Sequence, residues 1–447
     1  MWMLVATLVL YVVLAVPYAW LQRRYAESSQ GSAPAQRPGS YRPDVDVIVP
    51  CYNEEPGLLA ACLRSLREQD YRGRVKVWVV DDGSSNREAL RPVLQAEVDR
   101  SWRVVYLDGH HGKRVAQDAA LHAGHGEVVL TIDSDTTIEP DGISRIVDRL
   151  RDPRVGAVTG DVRPSNPDAT WLTRLIDTRY RLLFERERAA QGAFGAVLCC
   201  AGPFSAYRRA AVERIWPSYV DQRFLGSRRT FGDDLKLTNL VLASGWRSHY
   251  EPRARAATNV PTTLRRYVRQ QLRWNRSFYR ELPRILRLLP GRSRFLVLDI
   301  AGQTLLPLLL TISLVVAAAI TLLDRSRLPW TVAALVLMAL ASFGLVPASA
   351  PGRRFAVRYG LVFVGLLLPT RLWAACTLFR NHWGTRNPPG QRSGLASSRW
   401  TLRSATWLPF SLYSQTASSS SLAASAWRPQ RRSTSARSTC ASAREST

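Results

Sequence analysis

Acidic side chains are scarce in this sequence. Asp and Glu number 35 against 61 Lys and Arg, so the 447-residue chain carries a formal net charge of +26. Such an excess often points to nucleic acid. Here much of it lies beside apolar segments and in the C-terminal tail, where it suits anionic lipid headgroups and the positive-inside rule. No nucleic-acid partner is expected. Cysteine is also thin: there are six, with no zinc-ligand spacing and two of them adjacent at Cys199-Cys200. That argues against a zinc site and fits a reduced cytoplasmic compartment. The first apolar run, residues 1–20, has no basic residue before it and no small-x-small site between it and Arg23-Arg24. A secretory signal peptide is therefore disfavoured, and a membrane-spanning helix over 1–22 is expected. The arginines at its C-terminal flank place the next segment of the chain in the cytoplasm.

The chain divides by composition. Residues 23–43 are rich in Ser, Pro, Gly and Gln and read as a linker. From 44 to 255, short apolar runs alternate with segments of helical spacing. The runs 45–49, 75–80, 103–107 and 128–132 read as strands, and 57–68 and 114–123 as helices. This β-α-β alternation implies an α/β domain with a mainly parallel sheet covered on both faces. Residues 256–294 are Arg-rich with apolar residues at helical intervals, as in helices that lie along a membrane surface. Within 295–386, the stretches 295–323 and 330–346 are long enough to span. The third, 359–379, contains Pro369 and Arg371. A charge at mid-depth is costly, so this stretch reads as a re-entrant or interfacial pair of helices. Residues 387–447 have a Ser, Thr, Ala and Arg composition expected to be disordered.

Six polar motifs punctuate this frame. The first strand ends in Pro50-Cys-Tyr-Asn-Glu-Glu55 and the second in Asp81-Asp-Gly-Ser-Ser85, turns suited to cradling a nucleotide. Gly112-Lys-Arg114 supplies cations matched to a diphosphate. The fourth strand ends in Asp133-Ser134-Asp135, two carboxylates that can hold a hard divalent cation. In Phe231-Gly-Asp-Asp-Leu-Lys-Leu-Thr238, adjacent acids open a helical stretch, and one of them can act as general base. In Gln270-Gln-Leu-Arg-Trp274, an amide, a guanidinium and an indole share one helix face. Singly, each is also what an ordinary turn, N-cap or membrane-surface helix looks like. Their combination and order carry the reading.

Together these motifs make the chain resemble a processive family 2 glycosyltransferase of the GT-A fold, the group of cellulose, chitin and hyaluronan synthases. The resemblance runs from about Val45 to Arg386 and is strongest to bacterial hyaluronan synthases and to the rhizobial nodulation chitooligosaccharide synthase. Val45-Asp-Val-Ile-Val-Pro-Cys-Tyr-Asn-Glu54 and Phe194-Gly-Ala-Val197 look more like the nodulation enzyme. Phe224-Leu-Gly226, Leu237-Thr-Asn239, Arg273-Trp-Asn275 and Trp383-Gly-Thr-Arg386 look more like hyaluronan synthases, the last resembling their gating loop. Two departures stand out: Leu235 replaces the family's usual Arg, and His110-His111 replaces its usual Asn-x.

The resemblance implies a membrane-embedded, inverting enzyme of the plasma membrane, multi-pass, with its catalytic domain in the cytoplasm. Tyr52, Glu54 and Asp82 would take the uridine, Lys113 and Arg114 the diphosphate. Asp135 with Asp133 would carry Mg2+ or Mn2+, and Asp233-Asp234 would supply the base, Asp234 acting on the acceptor hydroxyl. Cys200, Gly202 and Pro203 would line the acceptor, while Gln270, Arg273, Trp274 and Trp383 would hold diphosphate and acceptor end. The expected product is hyaluronan, from UDP-GlcNAc and UDP-GlcA, the nascent polysaccharide leaving between apolar helices among membrane lipids. The alternative is a chitin or chitooligosaccharide synthase using UDP-GlcNAc alone, and a third reading is a silent nucleotide-sugar-binding membrane protein.

Overall fold

A computed structural model describes residues 2–31, 41–221, 223–228, 231–343 and 353–380. The strands are β1 (Val45–Cys51), β2 (Val75–Asp81), β3 (Arg103–Tyr106), β4 (Val128–Ile132), β5 (Thr136–Ile138), β6 (Val155–Pro164), β7 (Phe204–Arg208), β8 (Arg223–Phe224), β9 (Ser227–Arg228) and β10 (Arg247–Thr258). All but β8 and β9 join one eight-stranded sheet of order β3-β2-β1-β4-β7-β6-β10-β5. β1 pairs in parallel with β2 and β4, β2 with β3, and β6 with β10. β7 runs antiparallel between β4 and β6, and β5 antiparallel to β10. The mainly parallel α/β sheet expected from the alternation is present. Its central strands are apolar throughout because both faces are covered: Val47, Ile48 and Val49 of β1 are fully buried.

Helices α1 (Trp2–Gly31), α2 (Pro56–Arg67), α3 (Arg87–Glu97), α4 (Lys113–Ala123) and α5 (Gly142–Asp148) come first. After them come α6 (Trp171–Arg181), a π stretch (Leu182–Arg188), α7 (Ala189–Ala193), α8 (Arg209–Glu213), α9 (Trp216–Val220) and α10 (Asp233–Ala243). α2 shows how the layers hold. Its Leu59, Cys62, Leu63 and Leu66 recur at helical spacing and are buried, each leucine contributing about 1.5–3 kcal/mol by leaving water. Four strands are legible in the sequence as apolar runs. β10, with its interleaved arginines, is not.

Beyond the sheet lie α11 (Leu264–Leu288), α12 (Arg294–Leu323), α13 (Leu328–Phe343), α14 (Arg353–Val362), a second π stretch (Phe363–Leu367) and α15 (Leu368–Cys376). Among the described residues, three segments are long and apolar enough to cross a membrane: Leu4–Ser28, Arg294–Leu323 and Arg358–Cys376. α13 covers most of the stretch 330–346 expected to span. Its 16 described residues fall short of the roughly 20 a crossing needs, and the continuation lies outside the described residues.

Two expectations need correction. α1 does not stop at 22 but continues to Gly31, into the stretch assigned to a linker. Tertiary contacts hold this extension. Gln22 donates to Asp299 of α12 at 3.0 Å, Arg186 donates to Gln22 at 3.0 Å, and the Tyr25 ring packs on Phe194 and Phe295, both at 4.8 Å. Asp299 itself is fully buried. It accepts further bonds from Tyr18 (2.9 Å), Gln191 (2.7 Å) and Gln303 (2.9 Å), as a buried carboxylate requires. The second correction concerns residues 353–376, which form one uninterrupted helical segment rather than a pair broken at Pro369. Arg371 does not break it because its guanidinium reaches the Gln303 carbonyl (2.6 Å) and the Tyr279 hydroxyl (3.2 Å).

Candidate active site

Four turns converge at the carboxyl edge of the sheet. The β1 and β2 turns are laced together. Asn53, at φ 47°, accepts from the Ser85 backbone N–H at 2.7 Å and donates its own N–H to Ser84 at 2.9 Å, while Asn86 donates to the Glu54 carbonyl at 2.8 Å. Asp81 fixes the second turn by accepting from Ser84 N–H (3.0 Å) and Arg87 (2.6 Å). Gly83 is required there. Its φ is +71°, and a Cβ would sit 2.4 Å from the Gly109 backbone. That approach brings in the loop before α4, whose His111 and Gly112 N–H groups donate to the two oxygens of buried Asp82 at 2.8 and 2.7 Å. The Tyr52 ring lies stacked on His110, with centroids 3.8 Å apart and planes at 19°. Burial, then the Asp82 charge, pushes the Tyr52 phenol up. Glu54 is buried and accepts from Ser134 at 2.6 Å, tying the first turn to the acidic one rather than reaching outward.

The acids gather around a single ammonium group. Lys113 opens α4 and donates to Asp133 at 2.5 Å. Asp234, in the first turn of α10, accepts from the Gly202 N–H at 3.0 Å. A Cβ on Gly202 would lie 2.8 Å from both Asp234 Oδ1 and Lys113 Nζ, so Lys113, Asp133, Gly202 and Asp234 share one small space. Burial opposes the charge on Lys113, but Asp133, Asp234 and Asp233 outweigh it and drive its pKa up. Burial also raises Asp234 above the ordinary carboxylate range. Asp133 and Asp233 act in the same direction, whereas Lys113 and the Gly202 N–H oppose it. A carboxylate that is reluctant to stay ionised is a better proton acceptor.

Asp233 is different. It forms a buried ion pair with Arg114 at 2.5 Å, both side chains only 6% exposed, and Arg114 also donates to the Phe231 carbonyl at 3.2 Å. The cation expected at the diphosphate is thus turned inward as a brace for the acidic turn. Of the two adjacent acids, Asp233 is held by Arg114, and Asp234 is the one that shares the space with Gly202 and Lys113. Asp135 accepts from Thr258 at 3.2 Å and from Thr136 at 3.4 Å. Among the described residues no group of three or more His, Cys, Asp or Glu is arranged to hold a metal. The Asp133–Asp135 turn carries two carboxylates, the oxygen-donor type that a hard divalent cation takes. Lys113 presently lends the positive charge.

Cys200 contributes through its backbone. Its N–H donates to Thr238 at 2.9 Å, and burial pushes its thiol up to about 12 and that of Cys199 up to about 11. Pro203 follows Gly202 in the turn before β7. Ser277 of α11 lies under Gly232, where a Cβ would meet its hydroxyl at 2.6 Å, and Ser277 donates to the Arg273 carbonyl at 2.9 Å. The helix carrying Gln270, Arg273 and Trp274 is thereby seated beside the Asp233-Asp234 turn. The Gln270 side-chain oxygen is buried without a partner among the described residues. Trp274 is 42% exposed, outside the acid cluster. Trp383 and its motif lie outside the described residues, as does the tail 387–447.

Sequence reasoning missed Thr238, Thr258, Ser134 and Asn53, the residues that orient the acids and lace the turns. Only Thr238 had a local signal: it lies four residues after Asp234 and donates to the Asp234 carbonyl at 2.7 Å.

Comparison with known proteins adds to this geometry. A family profile described as "Glycosyltransferase like family 2" matches residues 43–277. The chain is 43% identical over 387 residues to an N-acetylglucosaminyltransferase of Sinorhizobium fredii, covering 85% of this chain and 93% of that one. It is 42% identical over 386 residues to one of Rhizobium meliloti, covering 85% and 91%. Among solved structures it is similar to a mannosyltransferase from Pyrobaculum calidifontis in complex with GDP-Man and Mn2+. The TM-score is 0.57 at 22% identity, over 80% of this chain and 98% of that one, a likeness of fold.

Proposed function

This chain belongs to glycosyltransferase family 2, and from that premise we propose that it is an N-acetylglucosaminyltransferase of the chitooligosaccharide type. It would transfer GlcNAc from UDP-GlcNAc to the end of a growing β-linked chain. The observation that carries the chemistry is the shared space of Asp234, Gly202, Lys113 and Asp133. The observation that carries the sugar is the identity of 43% and 42% to relatives named N-acetylglucosaminyltransferase. Hyaluronan, the product expected from the Trp383 motif and its companions, finds no support in those relatives, and UDP-GlcA is not part of this proposal.

In this reading the uridine rests at Tyr52 and Asp82, and Lys113 neighbours the diphosphate. Asp133 and Asp135 are the residues that would hold Mg2+ or Mn2+, which when bound neutralises charge on the leaving UDP. Asp234 takes the proton of the acceptor hydroxyl as its oxygen bonds to the anomeric carbon and the bond to UDP breaks. One such displacement inverts an α-linked donor to a β-linkage. Gly202 keeps the Asp234 carboxylate aimed, and the Arg114–Asp233 pair holds the turn that presents it.

We further propose a multi-pass plasma-membrane protein with this site on the cytoplasmic side and the product leaving between the apolar helices. The spans Leu4–Ser28 and Arg294–Leu323 support this. The segment Arg358–Cys376 is apolar enough to cross, yet its C-terminal end is tied to α11. Arg276 donates to Thr377 (2.8 Å), and Arg280 donates to the carbonyls of Leu378 (2.6 Å) and Arg380 (2.7 Å). A segment fastened in this way along an amphipathic helix supports an interfacial position.

Membranes containing the protein, incubated with radiolabelled UDP-GlcNAc with and without UDP-GlcA, test the proposal. Labelled oligosaccharide from UDP-GlcNAc alone is expected. A product that forms only when both donors are present would restore the hyaluronan reading, and no transfer under either condition would favour a silent binding protein.

A further inference from the structure

One aromatic contact at the site is made by a residue that the reaction does not use. His110 lies on Tyr52 with ring centroids 3.8 Å apart and planes 19° from parallel, and its Nδ1 is 2.8 Å from Asp82 Oδ2. With a carboxylate as partner, Nδ1 carries the proton and donates. A flat ring stacked on Tyr52 with an N–H directed at Asp82 is the same pair of features a uracil imide would present there. We infer that His110 occupies the nucleobase slot of the free enzyme and that the donor's base enters by displacing it. This rests on the assignment of uridine to Tyr52 and Asp82 made above.

Three details favour displacement over a sandwich. At 3.8 Å the two rings are already in contact, so no third ring fits between them. Asp82 is buried and accepts three bonds, from the backbone N–H groups of His111 and Gly112 and from the His110 ring. A carboxylate has about four such positions, and of the three donors only His110 can leave by side-chain rotation while the loop stays docked. The His110 side chain is 35% exposed, so the ring borders solvent. The exchange is one for one: a ring and an N–H leave, and a ring and an N–H arrive. Binding that must first empty an occupied slot is weakened by the fraction of molecules in which the slot is filled.

Equilibrium binding of uridine, UDP and pyrophosphate to the full-length protein and to His110→Ala tests this. The variant should bind uridine and UDP tighter by a common factor of about three to ten, and pyrophosphate, which has no base, with unchanged affinity. His110→Phe keeps the stack but loses the bond to Asp82, and should fall between the two; it also serves if the alanine variant does not fold. Equal or weaker uridine binding by these variants would overturn the inference, since His110 would then hold the base rather than its place. A wild-type protein that binds neither uridine nor UDP would instead remove the donor assignment on which the inference stands.

Discussion

The backbone N–H of Gly202 donates to the carboxylate of Asp234 at 3.0 Å, and nothing larger than hydrogen fits on the Gly202 α-carbon without crowding that carboxylate and Lys113. The turn before β7 thus aims the carboxylate proposed as the base. Gly202→Ala should cut the turnover of GlcNAc transfer by about 10- to 100-fold, the scale of a sub-ångström to ångström misplacement of a reacting group. UDP affinity should be retained. Steady-state kinetics with a parallel UDP-binding measurement would decide, and an alanine variant with normal turnover would show that the contact is incidental.

Asp234→Asn removes the proton acceptor and changes little else in shape. Transfer should fall by about 10²- to 10⁴-fold while UDP still binds. Asp233→Asn is expected to act on stability, because Asp233 is spent on Arg114. If Asp233→Asn proved the chemically dead variant with its fold intact, the two roles would have to be exchanged.

Arg114 is read from the sequence as a diphosphate ligand but found as a buried brace. Replacing it with Met would strand the Asp233 charge, with a cost of about 3–5 kcal/mol. The expected result is a large drop in the thermal midpoint in detergent. A normal melting curve with lost UDP affinity would return Arg114 to the diphosphate.

His249 makes stability depend on pH. Burial, then Arg149, holds its imidazole down at about 4 against an ordinary value of 6.5, and the neutral ring accepts from Arg149 at 3.3 Å. Below 6.5 the unfolded chain takes up the proton first, so stability is full above that pH and declines as pH falls toward 4. The loss is on the order of 3 kcal/mol across the window. Thermal midpoints at pH 7 and pH 5 should therefore diverge more in wild type than in His249→Gln. Parallel slopes would show that other groups control the acid limb.

Removing divalent metal with EDTA should abolish transfer, and added Mg2+ or Mn2+ should restore it. Asp135→Ala should need far more metal for the same rate, judged from metal titrations of initial velocity. An enzyme indifferent to chelation would rule out the role given to the Asp133–Asp135 turn.

What the linear chain determines here is local. Apolar runs four to seven residues long give β1 to β4, because strands buried on both faces need side chains of one kind. The polar residues just past them become the turns that bear Asp82, Asp133 and Asp135. The acids at 233 and 234 are also plain to see, opening a helix. Their division of labour is not. It depends on Arg114, more than a hundred positions earlier, being folded against Asp233 and leaving Asp234 to Gly202 and Lys113. The same holds for Thr258 on Asp135, His110 on Tyr52, and the reach of α1 past 22, where Tyr25 packs on Phe194 and Phe295. Sequence periodicity records which side of an element faces the core. It cannot record which distant partner satisfies a buried charge, because that pairing exists only once the sheet order and the packing of the helices have brought the two together.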